Sequence, residues 1–217
     1  IQSVESTNRA ELLLFSSKAS LYKLPISKIE SDKPSDWGSY LPNLIDLEKD
    51  EEILYIVTVP YGEPYQGEMV FAYEDGRVSR VDLAQYETKQ NRRKLVKVCN
   101  PRSPIIGMHY LSAEELAEAD TKEVAEDDIC DFVMTTTQDR AIVFDFQLID
   151  KKVSRNNQGD RVAKLRKNHK AVSFYRLKDV EIEDVSRYRA RKLPSSGVSI
   201  TDESLLGDQI MLLELIQ

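Results

Sequence analysis

The stretch Met69-Val70-Phe71-Ala72-Tyr73-Glu74-Asp75-Gly76-Arg77-Val78-Ser79-Arg80-Val81-Asp82-Leu83 decides the fold. Two short runs rich in β-branched and aromatic residues flank Glu74-Asp75-Gly76, and Asp-Gly between such runs is a strong hairpin signal. Residues 69–87 align without a gap on residues 132–150, 63 positions later. Val70/Val133, Arg77/Arg140 and Asp82/Asp145 are identical, and seven apolar positions coincide. A first copy runs from Leu13-Leu14-Phe15 through Leu21, Leu24 and Ile26 to Ile29, and fits if one turn residue is deleted. A period of about sixty residues built from short strands indicates a ring or array of β-blades, each burying its faces against its neighbours.

Working outward, residues 12–15 and 20–24 read as the first hairpin, and the β-branched run 53–59 as a buried strand. Residues 31–38, with Pro34 and Gly38, read as an exposed loop, and Trp37 as a core or loop anchor. Residues 60–67 and 100–104 are turn-rich breaks. Residues 130–136 and 140–146 form the third hairpin, and 172–177 a further strand. Ser112 with Glu115 makes a capping box, and Leu111 with Leu116 a staple, so a short acidic helix should begin there, on the outside of a blade. Residues 186–194 read as an extended strand or arm, and 209–216 as a hydrophobic strand able to close a ring. The expected architecture is all-β, a single domain over 1–217 with about four repeats at 1–60, 61–112, 127–180 and 181–217. An acidic insertion occupies 112–128.

The chain of 217 residues carries a net charge of −7, but the charge is segregated. Residues 114–131 hold nine carboxylates and one Lys. Residues 151–170 hold Lys151, Lys152, Arg155, Arg161, Lys164, Arg166, Lys167 and Lys170 against Asp160 alone. Lys89, Arg92, Arg93, Lys94 and Lys97 form a second basic run, and Arg187, Arg189, Arg191 and Lys192 a third. The local field decides whether a polyanion docks, and the basic runs recur in related repeat positions, which in a ring places them on one rim. Lys on strand edges also blocks edge-to-edge association, so any single run has a purely structural reading.

Catalytic signals are missing. His109 and His169 have no second His or Cys at ligand spacing. Cys99 and Cys130 form no C-x-x-C and read as free, structural thiols of a reducing compartment. No phosphate-cradling Gly loop or nucleophile triad is visible. No apolar run approaches the length of a membrane helix. Starting at Ile1, with neither Met nor a signal-type apolar region, the chain reads as a piece of something longer. Two function classes remain: a DNA-binding accessory domain, or an interaction propeller whose basic rim meets an acidic protein.

The run after the third hairpin, Val153-Ser154-Arg155-Asn156-Asn157-Gln158-Gly159 followed by Val162-Ala163-Lys164-Leu165, resembles the repeat element of the C-terminal domain of bacterial type IIA topoisomerase A subunits, the gyrase and topoisomerase IV group. Asp36-Trp37-Gly38 with Leu47-Glu48-Lys49-Asp50 echoes it in the first repeat. Tyr188-Arg189-Ala190-Arg191-Lys192-Leu193-Pro194 before Gly197 looks like the tail of topoisomerase IV-type members. The resemblance implies a β-pinwheel, closed or open, that bends double-stranded DNA around a basic rim. It implies no cofactor and no catalysis in this portion. The catalytic Tyr, the ATP- and Mg-using machinery, the ATPase B subunit, like the rest of the catalytic A chain, would lie elsewhere in a cytoplasmic, nucleoid-associated enzyme. On that resemblance Arg92, Arg93, Lys94, Lys97, Lys151, Lys152, Arg155, Arg161, Lys164, Arg166, Lys167, Lys170, Arg187, Arg189 and Arg191 are the DNA-contacting residues. Gyrases carry a Gln-Arg-Arg-Gly-Gly-type box, whereas Gln90-Asn91-Arg92-Arg93-Lys94-Leu95 has no Gly pair. This favours a topoisomerase IV-like role, bending without strong chiral wrapping.

Overall fold

The structure, a computed structural model, describes residues 2–205 except 3, 30, 32, 34, 36, 89–92, 122–129 and 202–204, and leaves out the side chains of 120 and 121. The first repeat gives β1 (Glu11–Ser16), β2 (Ser20–Pro25) and, after a long loop, β3 (Ile53–Val59). The second gives β4 (Glu68–Tyr73), β5 (Arg77–Asp82), β6 (Lys94–Val96) and β7 (Ile105–Leu111), followed by helix α1 (Ala113–Thr121). The third gives β8 (Asp131–Thr136), β9 (Arg140–Asp145), the two-residue strands β10 (Lys151–Lys152) and β11 (Asp160–Arg161), and β12 (Ala171–Arg176). The helical turn α2 (Val185–Tyr188) and β13 (Val198–Ser199) complete the described elements.

These strands form three sheets, and each takes its outer strand from the repeat that follows. The first blade is ordered β3-β1-β2-β6, with β6 arriving from the second repeat. In the second blade, ordered from β10 through β5 and β4 to β7, the incoming run touches β5 twice. It runs parallel at Arg80 and Val81, then antiparallel at Val78 and Arg77. The third, β12-β8-β9-β13, repeats this with the tail: Arg189 bridges Val143 in parallel, and β13 pairs antiparallel with Ala141 and Arg140. Residues 181–200, expected as part of a fourth repeat, thus supply the outer edge of the third blade.

Strand pairing also fixes the register of the first repeat. Glu11 opposes Val59 as Glu68 opposes Leu111, and both β1 and β4 shift register before their last residue. Leu12-Leu13-Leu14 therefore matches Met69-Val70-Phe71, and no turn residue is deleted. Ala19, Gly76 and Asp139 hold the same turn position, at φ of 52°, 74° and 51°. The expected deletion came from matching Leu13-Leu14-Phe15 instead, one residue out of step.

Packing follows from burying both faces of each hairpin. Leu13, Phe15 and Leu21 of the first blade meet Met69, Phe71 and Val81 of the second. Val70, Ala72 and Val78 on the other face of the second blade meet Phe132, Met134 and Phe144 of the third. Phe132 and Phe174 stack at 4.7 Å between centroids. Each of these side chains larger than alanine stabilises by about 1.5–3 kcal/mol on burial. The two end faces are closed by the chain itself. Leu41, Leu44, Ile45 and Leu47 cover Leu12, Leu14, Tyr22 and Leu24, while Leu177, Tyr188, Ile200 and Leu205 cover Val133, Ala141 and Val143.

Other expectations change in detail. β3 is a half-buried sheet edge and not a fully buried strand, because it lines the inner side of its blade, beside β7. Trp37 is no anchor but is wholly exposed, at 104%. Residues 186–194, expected as an extended strand or arm, begin instead in α2, which Asp184 caps by accepting from the Arg187 N–H at 3.2 Å, and run extended beside β9 from Arg189. The α1 capping box forms as expected, with the Ser112 N–H donating to Glu115 at 3.0 Å and the Glu115 N–H donating to Ser112 at 3.1 Å. α1 does more than decorate the exterior. Leu116 packs into the core between the second and third blades, and Glu115 pairs with Arg176 and Lys178, both at 2.9 Å.

Candidate nucleic-acid interface

The three basic runs fall on one structural feature. The second repeat's run carries β6, the third repeat's run carries β10 and β11, and the tail carries β13. Each is the outer edge of a successive blade. An edge strand keeps one row of backbone groups unpaired, and its side chains alternate between the two faces of the blade, so the exposed cations there stand along the rim.

Not every cation on this edge is available. Glu68, whose side chain is 5% exposed, pairs with Arg80 and lies 3.5 Å from Lys151, which also holds Asp82 at 3.0 Å. The hydrogen bond to Asp82 raises the Lys151 pKa. Asp131, the counterpart of Glu68, pairs with Arg189, the counterpart of Lys151. Lys152 pairs with Asp160 at 2.6 Å, Lys170 with Glu74 at 2.7 Å and Lys94 with Glu48 at 2.9 Å. Arg155 donates to the Gln85 carbonyl at 3.2 Å. Lys152 thereby ties β10 to β11 within one run, and the other five tie one repeat to the next.

Arg93, Lys97, Arg161, Lys164, Arg166, Lys167 and Arg191 are different. All except Lys164, Arg166 and Lys167 sit on or beside an exchanged edge. Those three sit in the turn that follows β11, where the Arg166 N–H meets Gln138 at 3.4 Å. All seven side chains are solvent-facing and make no ion pair with a described residue. Arg187 lies 5.8 Å from the Tyr188 ring centroid. Arg92 lies outside the described residues, as does the run 209–216 expected to close a ring.

Two residues that stand out in the sequence only as repeat identities have a definite task. Arg77 donates to the Gly159 carbonyl at 3.0 Å, and Arg140 donates to the Gly197 carbonyl at 2.7 Å. Gly159 (φ +70°) and Gly197 (φ +67°) lie directly over the hairpin backbone. A Cβ would sit 2.4 Å from the Val78 carbonyl oxygen at the first and 2.9 Å from that of Ala141 at the second. Arginine and glycine together latch the incoming edge. The first blade has Ser20 in place of the arginine, and its incoming run from Arg93 to Lys97 contains no glycine.

The remaining candidates stay structural. His109 sits among Tyr55, Phe132 and Phe174 with Nε2 3.2 Å from the Phe174 carbonyl, and burial lowers its pKa. His169 bonds Thr137 at 3.1 Å. Burial pushes the Cys99 thiol up to about 12 and the Cys130 thiol to about 11, against nucleophilic use. Among the described residues, no group of His, Cys, Asp and Glu is placed to hold a metal, and no helix is long and apolar enough to cross a membrane.

Blades that exchange outer strands in sequence define the class: this is the β-pinwheel fold of the C-terminal domains of type IIA topoisomerase A subunits. The solved C-terminal domain of DNA topoisomerase IV matches with a TM-score of 0.60 at 20% identity, covering 77% of this chain and 47% of that one. The C-terminal domain of E. coli ParC matches with 0.62 at 11% identity, covering 91% and 79%. In sequence, the A subunit of DNA topoisomerase 4 from Bacillus subtilis (strain 168) is 25% identical over 104 residues, 48% of this chain and 13% of the relative. The A subunit of DNA gyrase from Rickettsia conorii (strain ATCC VR-613 / Malish 7) is 23% identical over 171 residues, 78% of this chain and 17% of the relative. This chain thus spans less than a fifth of the length of either curated relative. No family model matches the chain.

Proposed function

We propose that this chain is a non-catalytic DNA-holding domain of a type IIA topoisomerase A subunit. It captures a double-stranded segment on its outer edge and presents it to cleavage machinery elsewhere in the enzyme. The ATPase B subunit is the partner of that enzyme, whose ATP and Mg chemistry is carried out away from this domain, in the cytoplasm at the nucleoid. The observation that carries this reading is the placement of all three basic runs on equivalent exchanged edges of successive blades. Such an edge offers phosphates a track without base-edge readout, so binding is sequence-tolerant and salt-dependent.

The role leans toward topoisomerase IV. Bending a site of 20–30 base pairs costs of order 1–6 kcal/mol, and only a continuous track offsets it. The first blade's edge lacks the arginine–glycine latch, no Gly pair stands in its incoming run, and the net charge is −7. Bending with weak chiral wrapping follows, and ligation of nicked plasmid with this domain bound should leave linking number nearly unchanged.

The test separates available cations from latching ones. Neutralising Arg161, Lys164, Arg166 and Lys167 together should reduce the slope of log K against log salt by about 3–4, equally for unrelated duplexes, at unchanged thermal stability. A variant that binds DNA like the parent, or a parent that binds an acidic protein in preference to DNA, would sink the proposal.

A further inference from the structure

The junction between the first and second blades departs from its counterpart between the second and third. In the latter, Arg80 pairs with Glu68, lies over the Phe146 ring at 4.4 Å and reaches the Phe146 and Ile149 carbonyls at 3.4 Å. Lys23, the counterpart of Arg80, is only 6% exposed. Its ammonium nevertheless makes no hydrogen bond or ion pair with a described residue. Glu11, the carboxylate matching Glu68, is engaged by the Tyr65 hydroxyl, and Thr88 stands where Lys151 does.

Lys23 lines a cleft of about 760 Å³ at this junction. Sites for small organic molecules span roughly 300–1,000 Å³ and combine apolar walls with a few polar groups. Val59, Pro60 and Tyr61 supply such a wall, and the Lys23 ammonium lies 4.7 Å from the Tyr65 ring centroid. Burial, the largest influence, lowers the Lys23 pKa; Glu11 and Glu87 raise it and Arg155 lowers it further, leaving it below the ordinary lysine value. Arg9 and Glu63, both exposed, complete the charged lining.

A buried amine without a partner, beside an apolar cleft, is a nucleophile rather than a structural cation. In the lining, Arg9 and Lys23 stand against Glu11, Glu63 and Glu87, so charge does not draw an anion in. We infer that Lys23 is a carbonyl-reactive lysine and that this cleft captures small neutral aldehydes, aromatic ones above all. The uncharged amine attacks the carbonyl carbon, forming a C–N bond while the C=O π pair moves to oxygen. A proton passes from nitrogen to that oxygen, giving a carbinolamine. Loss of its hydroxyl together with the remaining nitrogen proton, as water, leaves an imine. Aldehyde and amine thus become imine and water, with no net oxidation or reduction.

The test treats this chain with benzaldehyde and cyanoborohydride, which delivers hydride to the imine carbon and fixes each adduct as a secondary amine. Peptide mass spectrometry then gives a rate for every lysine. At neutral pH Lys23 should be labelled several-fold faster than the solvent-facing Lys97, Lys164 and Lys167. Its rate should saturate with benzaldehyde, whereas theirs should rise linearly. Lys23→Arg should abolish the saturable labelling and leave the other lysines unchanged. A Lys23 rate at or below those of the three surface lysines overturns the inference, as does one that rises linearly. A stronger preference for Lys23 with para-formylbenzoate than with benzaldehyde also overturns it, because the cleft would then select an anion. No DNA enters the measurement, so a failure of the DNA-holding role leaves this outcome readable.

Discussion

The outer edges of the first and second blades occupy the same place in the fold and are held in opposite ways. On the second blade, Arg77 grips the Gly159 carbonyl, and Arg80 and Lys151 converge on the nearly buried Glu68. On the first, Ser20 replaces the arginine, and Thr88 stands where Lys151 does. Glu11, the counterpart of Glu68, accepts instead from the Tyr65 hydroxyl. The buried Lys23, counterpart of Arg80, faces the Tyr65 ring at 4.7 Å and has its pKa lowered by burial. A basic residue on a pinwheel edge can therefore be tied into the fold or stand solvent-facing without an ion pair among the described residues. Counting cations along the sequence does not separate the two roles.

The most severe way to break this contrast is Arg80→Met. It leaves Glu68 in a largely dry site with only Lys151 nearby, and loss of one partner of a buried pair costs about 3 kcal/mol. Urea denaturation should show the midpoint falling at constant m-value. Lys23→Met on the first blade should cost less, because Glu11 keeps its hydrogen bond from the Tyr65 hydroxyl. Gly159→Ala should cost about 2 kcal/mol, since the new Cβ meets the Val78 carbonyl at a left-handed φ. Amide exchange should then open β11 and leave β6 unaffected. If both edges open equally, the latch is not local.

The smallest expected effect concerns α1. Burial pushes the Glu115 carboxyl up, but the Ser112 N–H, Lys178 and Arg176 outweigh it, so its folded pKa lies below the ordinary glutamate value. A depressed folded pKa contributes stability that is present above the unfolded pKa and is lost as pH falls through the folded one. Glu115→Gln should flatten the stability–pH curve below the usual glutamate range and leave the neutral-pH salt slope of DNA binding unchanged.

The second hairpin is legible in the sequence because Asp-Gly between short β-branched and aromatic runs is a local signal, and the third is legible through its gapless match to the second. The first repeat's register is not. Leu12-Leu13-Leu14-Phe15 is apolar at every position, so hydrophobicity cannot distinguish a one-residue slip. Ala19, filling the turn position held by Gly76 and Asp139, does not announce a left-handed residue. The exchange itself is invisible, since β6 pairs with a strand about seventy residues earlier and no local pattern encodes that partner. Arg77 and Arg140 are visible as identities between repeats, but their task needs the glycine carbonyls. The basic runs are visible as segments. Their division into latching and available cations depends on Glu68, Asp131 and Glu74, which lie far away in sequence.

Strand exchange also has a consequence for biosynthesis. β2 is complete at Pro25, but its outer neighbour β6 ends at Val96. At roughly 5–20 residues per second, the ribosome needs about 4–14 s to deliver that neighbour. During this interval the nascent first hairpin shows an unpaired edge, and each later hairpin waits in turn. The tail, which follows β12 without another hairpin, supplies the last exchanged edge among the described residues. Chain truncations just before β6, β10 or β13 should therefore be far more prone to aggregate than truncations just after them.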